Sequence, residues 1–207
     1  LQSLKDHYTK EGRATDVVRT LDTALALAGD DERVALHKEA GQRLEGQGRN
    51  EEALAHYADA VLLAPGDAAA REKLRAFGEQ LGAVTRVVGV LTQVAEATED
   101  AKLRTALRVE SAEMLRATGD ATSATALLEA VLAEPGLSAQ TALSCARSLS
   151  ELYALAGRAE EHLSSLVRLA RLAPEPAAQR NAWSEVARVA EAQSAPRDFV
   201  GAIRARI

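Results

Sequence analysis

The chain has 207 residues, 47% hydrophobic and 27% charged, a balance that excludes a disordered chain and supplies a substantial core. Its 25 basic and 30 acidic residues give a net charge of -5, which argues against a nucleic-acid partner because phosphate recognition needs a cationic face. Aromatic residues make up only 3%, which favours closely packed small-residue helices over sheets. No apolar run is long enough to predict a membrane-inserting helix.

The first predicted hairpin covers about residues 1–29. Apolar residues recur at intervals of three and four on both sides of Gly12, with Leu4 and Tyr8 before it and Val17 and Leu21 after it. This spacing indicates two amphipathic helices, and the glycine between them indicates a turn.

The second hairpin covers about residues 31–66 and contains the clearest copy of the unit, from Val34 to Asp67. Two apolar-faced helices flank Gly48, and Pro65 ends the second of them because proline lacks the backbone donor that a helix needs.

Four further hairpins follow, at about 67–97, 99–136, 138–174 and 176–207. Their turns are predicted at Gly82, Gly119, Gly157 and Ser194. From Gly12 onward, the six turn positions are separated by 36, 34, 37, 38 and 37 residues. A period of this length indicates a repeat array, in which each hairpin buries its apolar face against its neighbours.

The unit from Val34 to Asp67 resembles a tetratricopeptide repeat. It has the family's length of 34 residues, and Gly41, Ala53, Tyr57, Ala60 and Pro65 stand at its eighth, twentieth, twenty-fourth, twenty-seventh and thirty-second positions. One departure is His37, which replaces the usual large aromatic residue at the fourth position. The resemblance implies an all-α fold, a right-handed α-solenoid of about six antiparallel hairpins, forming one array over residues 1–207.

The chain begins with Leu1 rather than methionine, so we expect it to be a segment of a longer protein. Its Ala-, Arg- and Leu-rich composition resembles long tetratricopeptide arrays of large bacterial proteins. We expect a cytoplasmic location, and the single Cys145 fits a reducing compartment.

The sequence predicts no catalytic, cofactor or metal site. The four histidines, His7, His37, His56 and His162, are assigned to different hairpins with no partner ligand at a metal-binding helical spacing. The Gly46-x-Gly48 pair lies between two helices, where a turn is expected rather than a phosphate-binding loop. No strand-to-helix turn presents a nucleophile.

The resemblance instead implies a protein-binding surface, because tetratricopeptide arrays hold a peptide or a partner helix in a concave groove lined by the first helix of each hairpin. The positions that match this groove are Lys38, Gln42, Glu45, Glu72, Glu79, Glu113, Arg116, Arg147, Glu151 and Arg188. Their acidic members favour a basic or amphipathic partner.

The predicted function is therefore a non-enzymatic scaffold that binds another protein or peptide. Two alternatives stay open at the level of sequence. The array can be an accessory or regulatory part of a larger protein whose catalytic or signalling domain lies outside these residues, or it can associate with itself.

Overall fold

The chain is built from helices in the computed structural model, which describes residue 7, residues 14–193 and residues 197–206. Within these ranges it has eleven helices and no strand. In chain order they are α1 (Ala14–Leu27), α2 (Asp30–Gly46), α3 (Asn50–Leu63), α4 (Ala68–Gln80), α5 (Val84–Ala97), α6 (Ala101–Ala117), α7 (Ala121–Leu132), α8 (Ala139–Leu155), α9 (Ala159–Leu172), α10 (Pro176–Ala192) and α11 (Arg197–Arg204). The predictions at Leu4, Tyr8, Gly12 and Ser194 lie outside the described residues.

The helices form two compact units, one ending at Leu107 and the other starting at Arg108. In the first unit, each helix from α1 to α4 packs against the next helix in the chain. In the second, each helix from α7 to α10 does the same. The predicted all-α class is therefore confirmed, whereas the division of the whole chain into one array of six hairpins stays a prediction.

The four glycine turns that the structure describes inside hairpins have the same hydrogen-bonded form. After α2, the Arg49 amide donates to the Leu44 carbonyl oxygen and the Gly48 amide to the Glu45 carbonyl oxygen, both at 3.0 Å. This Schellman motif needs a left-handed residue, which glycine adopts without steric cost. The motif recurs at Gly82, Gly119 and Gly157, and the φ angles are 70° at Gly48, 65° at Gly82, 85° at Gly119 and 68° at Gly157.

Several helices begin at a residue that accepts a hydrogen bond from the first turn. Asp67 accepts from the Ala70 amide at 3.0 Å, and Ser138 accepts from the Thr141 amide at 3.1 Å. These side chains satisfy amides that have no partner within the helix, so the polar connectors mark the helix starts.

In the second hairpin, the Tyr57 ring of α3 lies close to the α2 backbone at Gly41. A β-carbon placed there would lie 2.9 Å from the Tyr57 ring, so only glycine leaves room for the tyrosine. Ala53 is fully buried in the same core. Tyr57 also stacks on Phe77 of α4, with ring centroids 5.7 Å apart, and thereby joins the second hairpin to the third. Small residues on α2 and α3 thus set the helix spacing.

A second core lies around Trp183 in the last described helices. Leu166, Ala170, Val186 and Ile203 are buried with it. Trp183 is therefore a core residue.

Replacing Ala53 with leucine should lower the free energy of unfolding by about 1 to 3 kcal/mol, because the added atoms have no space between α2 and α3. Chemical denaturation of both proteins measures the difference. Ala35→Leu is the matched control, since Ala35 is exposed on α2 and its change should stay within about 0.5 kcal/mol. Equal stability of the two variants would show that the packing described for Ala53 is wrong.

Replacing Gly48 with alanine should cost about 1 to 2 kcal/mol, because its φ of 70° is strained for an L side chain. The control, Gly46→Ala, lies two residues earlier in α2, where an added β-carbon meets no atom within 4 Å. It should stabilise the protein by roughly 0.4 to 1 kcal/mol. Opposite shifts in melting temperature are expected, and a stabilising Gly48→Ala would contradict the turn geometry.

Candidate functional site

Two ion pairs join α2 to α4 and its N-terminal cap in the first unit. The Lys38 Nζ atom lies 2.5 Å from the Asp67 Oδ2 atom, and the Lys73 Nζ atom lies 2.9 Å from both carboxylate oxygens of Glu45. Asp67 is also the residue that caps α4. The first helices of consecutive hairpins therefore present adjacent polar faces.

Hydrogen bonding and burial shift the pKa values of two groups at these ion pairs. The Lys38 ammonium, followed by the Ala70 amide, holds the pKa of Asp67 below its usual value. Burial raises the pKa of Tyr57 to about 12, and the nearby Glu45 carboxylate adds to the shift. Asp67 is therefore charged and Tyr57 is neutral at physiological pH.

The remaining groove positions of the first unit lie on the surface of α2 and α4. Glu72 accepts a hydrogen bond from Arg75 at 2.8 Å on its own helix, while Gln42 and Glu79 are exposed. The Glu79 carboxylate has no ion pair or hydrogen bond to other side chains or amides in the described part of the chain.

In the second unit, three of the predicted groove residues come together across α6 and α8. The Arg116 Nε atom lies 2.9 Å from Glu113, and its Nη1 atom lies 3.6 Å from the Glu151 Oε2 atom. The Ser148 hydroxyl donates to Glu113 at 2.8 Å. The first helices of the fourth and fifth hairpins are therefore joined by polar contacts, as α2 and α4 are.

The last two predicted positions are not part of this network within the described residues. Arg147 is exposed on α8. Arg188 forms an ion pair with Glu185 on α10, with 2.5 Å between its Nη2 atom and the Glu185 Oε1 atom.

These ion pairs compensate several of the negative charges at the predicted groove positions. Glu45, Glu72 and Glu113 each have a lysine or arginine nitrogen within 2.9 Å, so their charges are largely compensated locally. The first-helix faces of each unit therefore carry charges of both signs.

A histidine pair lies between α2 and α3 and was missed by the sequence analysis. The Nδ1 atoms of His37 and His56 are 3.1 Å apart, so the interpretation that the histidines lie in different hairpins and lack a histidine partner was wrong. His37 is buried, and its Nδ1 atom lies 3.7 Å from the Asp59 Oδ2 atom. The Nε2 atom of His56 lies 4.0 Å from the Asp22 Oδ1 atom of α1.

Burial is the main reason why the pKa of His37 lies below its ordinary value of 6.5. The nearby His56 and Arg33 lower it further, while Asp59 and Asp22 oppose the shift. A histidine whose pKa is lowered by folding binds fewer protons in the folded state than in the unfolded state. Its contribution to stability is therefore lost as the pH falls below about 6.5.

His37→Phe should reduce the loss of stability between pH 7.5 and pH 5, because it removes the buried group that protonates more readily in the unfolded chain. Thermal melts at both pH values measure this. His162→Phe replaces a histidine outside the pair and is the control. If both variants showed the wild-type dependence on pH, His37 would not be the group responsible.

Outside the histidine pair, the described residues give no sign of a catalytic centre. They contain no cluster of three or more His, Cys, Asp or Glu side chains that suits a metal ion. Cys145 is buried, and burial raises the pKa of its thiol to about 11, so the reactive thiolate is rare at physiological pH. None of the described helices has the length and apolar character that a membrane-spanning helix requires.

The chain matches no protein-family model and no curated protein. Solved structures do resemble it. A kinesin light chain of Podosopora anserina with nearly identical TPR-like repeats has a TM-score of 0.50 at 20% identity, over 84% of this chain and 92% of that one. A variant of that same protein has a TM-score of 0.51 at 20% identity, over 86% of this chain and 96% of that one.

The fold is tetratricopeptide-like. This agrees with the repeat pattern, the Gly41–Tyr57 packing and the recurrent glycine turns. YrrB, described as a TPR protein with an unusual peptide-binding site, also resembles this tetratricopeptide-like chain, with a TM-score of 0.46 at 17% identity over 86% of this chain and 87% of that one.

Proposed function

We propose that this chain is a non-catalytic interaction scaffold that binds a peptide or a partner helix along the first helices of its hairpins. The observation that carries the proposal is the polar pairing between consecutive first helices, formed by Lys38 and Glu45 in the first unit and by Arg116 in the second. These contacts fix neighbouring side chains before a partner arrives, which lowers the entropic cost of binding.

The proposed partner is basic or amphipathic. Because Glu45 and Glu72 are already paired with Lys73 and Arg75, an amphipathic segment with charges of both signs suits the surface better than a purely basic one. Its basic groups can approach exposed Glu72 and Glu79, and its acidic groups can approach Lys73. Such complementarity contributes to orientation and to the association rate.

The test is binding to a partner captured from lysate of the source organism. We expect Glu72→Lys combined with Glu79→Lys to weaken the affinity roughly tenfold and to flatten its dependence on salt, because both exposed carboxylates become cations. Glu45 is left intact, since its pair with Lys73 joins α2 to α4, whereas Glu72 pairs only within its own helix. Isothermal titration at two salt concentrations gives both quantities.

The matched control is Glu96→Lys combined with Glu99→Lys, which changes the net charge equally in the same unit. Both of these glutamates are exposed, Glu96 on α5 and Glu99 just after it. If the two double variants bound the captured partner with equal affinity, the first-helix face would not be the binding surface.

A further inference from the structure

A cleft lies in the second unit between α7, α8 and α9, and none of its lining residues is among the predicted groove positions. It consists of two cavities of about 270 and 410 Å³ that share Leu132, Ser164 and Arg168 as lining residues. The larger cavity alone has the size of a pocket that accepts a small ligand or a few side chains.

The larger cavity has mainly apolar walls. Leu132 and Leu137 line it from the end of α7 and the connection to α8, and Val167 and Leu172 line it from α9. All four side chains are only partly buried. An apolar side chain from a partner would remove this surface from water, which is favourable in proportion to the area buried.

Two cations lie beside these apolar walls. Arg168 and Arg171 both line the cavity and are exposed. Neither guanidinium group has an ion pair or a hydrogen-bonded partner among the residues that the structure describes. Their guanidinium groups therefore have donors available for a carboxylate, which arginine binds in a bidentate manner.

The two carboxylates at the other end of the cleft already accept hydrogen bonds from neighbouring side chains. Glu129 accepts a hydrogen bond from the Tyr153 hydroxyl, and Glu161 accepts from the Arg158 Nη2 atom at 2.8 Å. The Arg158 guanidinium also lies over the Tyr153 ring, 4.7 Å from its centroid. These contacts leave the two arginines at the apolar end as the charges that lack a counterpart.

We propose that this cleft is a second docking site, which takes a short protein segment with an apolar side chain next to one or more carboxylates. The apolar side chain enters between Leu132 and Val167, and the carboxylates bind Arg168 and Arg171. The inference does not rest on the first-helix surface, which carries charges of both signs. It gives the chain two surfaces that select different partner chemistry.

The experiment is panning of a random 12-residue peptide library on the whole chain, followed by fluorescence anisotropy with the selected peptides. The selected sequences should combine aliphatic or aromatic residues with Asp or Glu. Arg168→Ala together with Arg171→Ala should weaken their binding on the order of tenfold or more, because each charge-assisted hydrogen bond is lost. Ser164→Trp, which fills the shared part of the cleft, should weaken it as well.

The control is Arg180→Ala together with Arg204→Ala, which removes two exposed arginines of the same unit and should leave the affinity unchanged. Thermal melts verify that every variant is folded. Selection of peptides without acidic residues would overturn the proposal, and so would equal binding to the two double variants. Loss of binding in the control variant alone would place the peptides outside the cleft and contradict the proposal.

Discussion

The close approach of Gly41 to the Tyr57 ring is the contact on which the first unit depends. A side chain at Gly41 would occupy the space of the ring, so the absence of one sets the distance between α2 and α3. Tyr57 then stacks on Phe77 and brings α4 against the second hairpin. One residue without a side chain thus positions three helices, because a close-packed core transmits a small change in volume to its neighbours.

The polar face follows from this packing. Once α4 lies beside α2, Lys73 reaches Glu45 and Lys38 reaches the residue that caps α4. Pairs exposed to this extent stabilise a protein little, since solvent screens them. Their main effect is to arrange charges of both signs on the surface, which gives a partner a defined pattern to match and explains why the interaction scaffold is the function that the geometry supports best.

The repeat length, the turns and the core were predictable from sequence because each depends on a residue type that no other can replace. Gly48 needs a positive φ, and Ala53 and Gly41 need small volume, so the same residue types recur at the same spacing.

The contact between His37 and His56 was not predicted from the sequence. His37 lies one helical turn before Gly41 and His56 directly precedes Tyr57, so the Gly41–Tyr57 pairing itself was the signal that brings the two rings together. The charge pairing of Glu45 and Glu113 was not predictable, because a long lysine or arginine side chain can reach several carboxylates and the choice depends on helix packing.

The central claim is that partners bind along the first helices of the hairpins. Hydrogen–deuterium exchange of the chain with and without its captured partner tests it most directly, because exchange reports which segments become protected on binding. The account predicts added protection in peptides that cover α2 and α4, with α5 unchanged. Protection confined to α3 and α5, the second helices of the same hairpins, would contradict it.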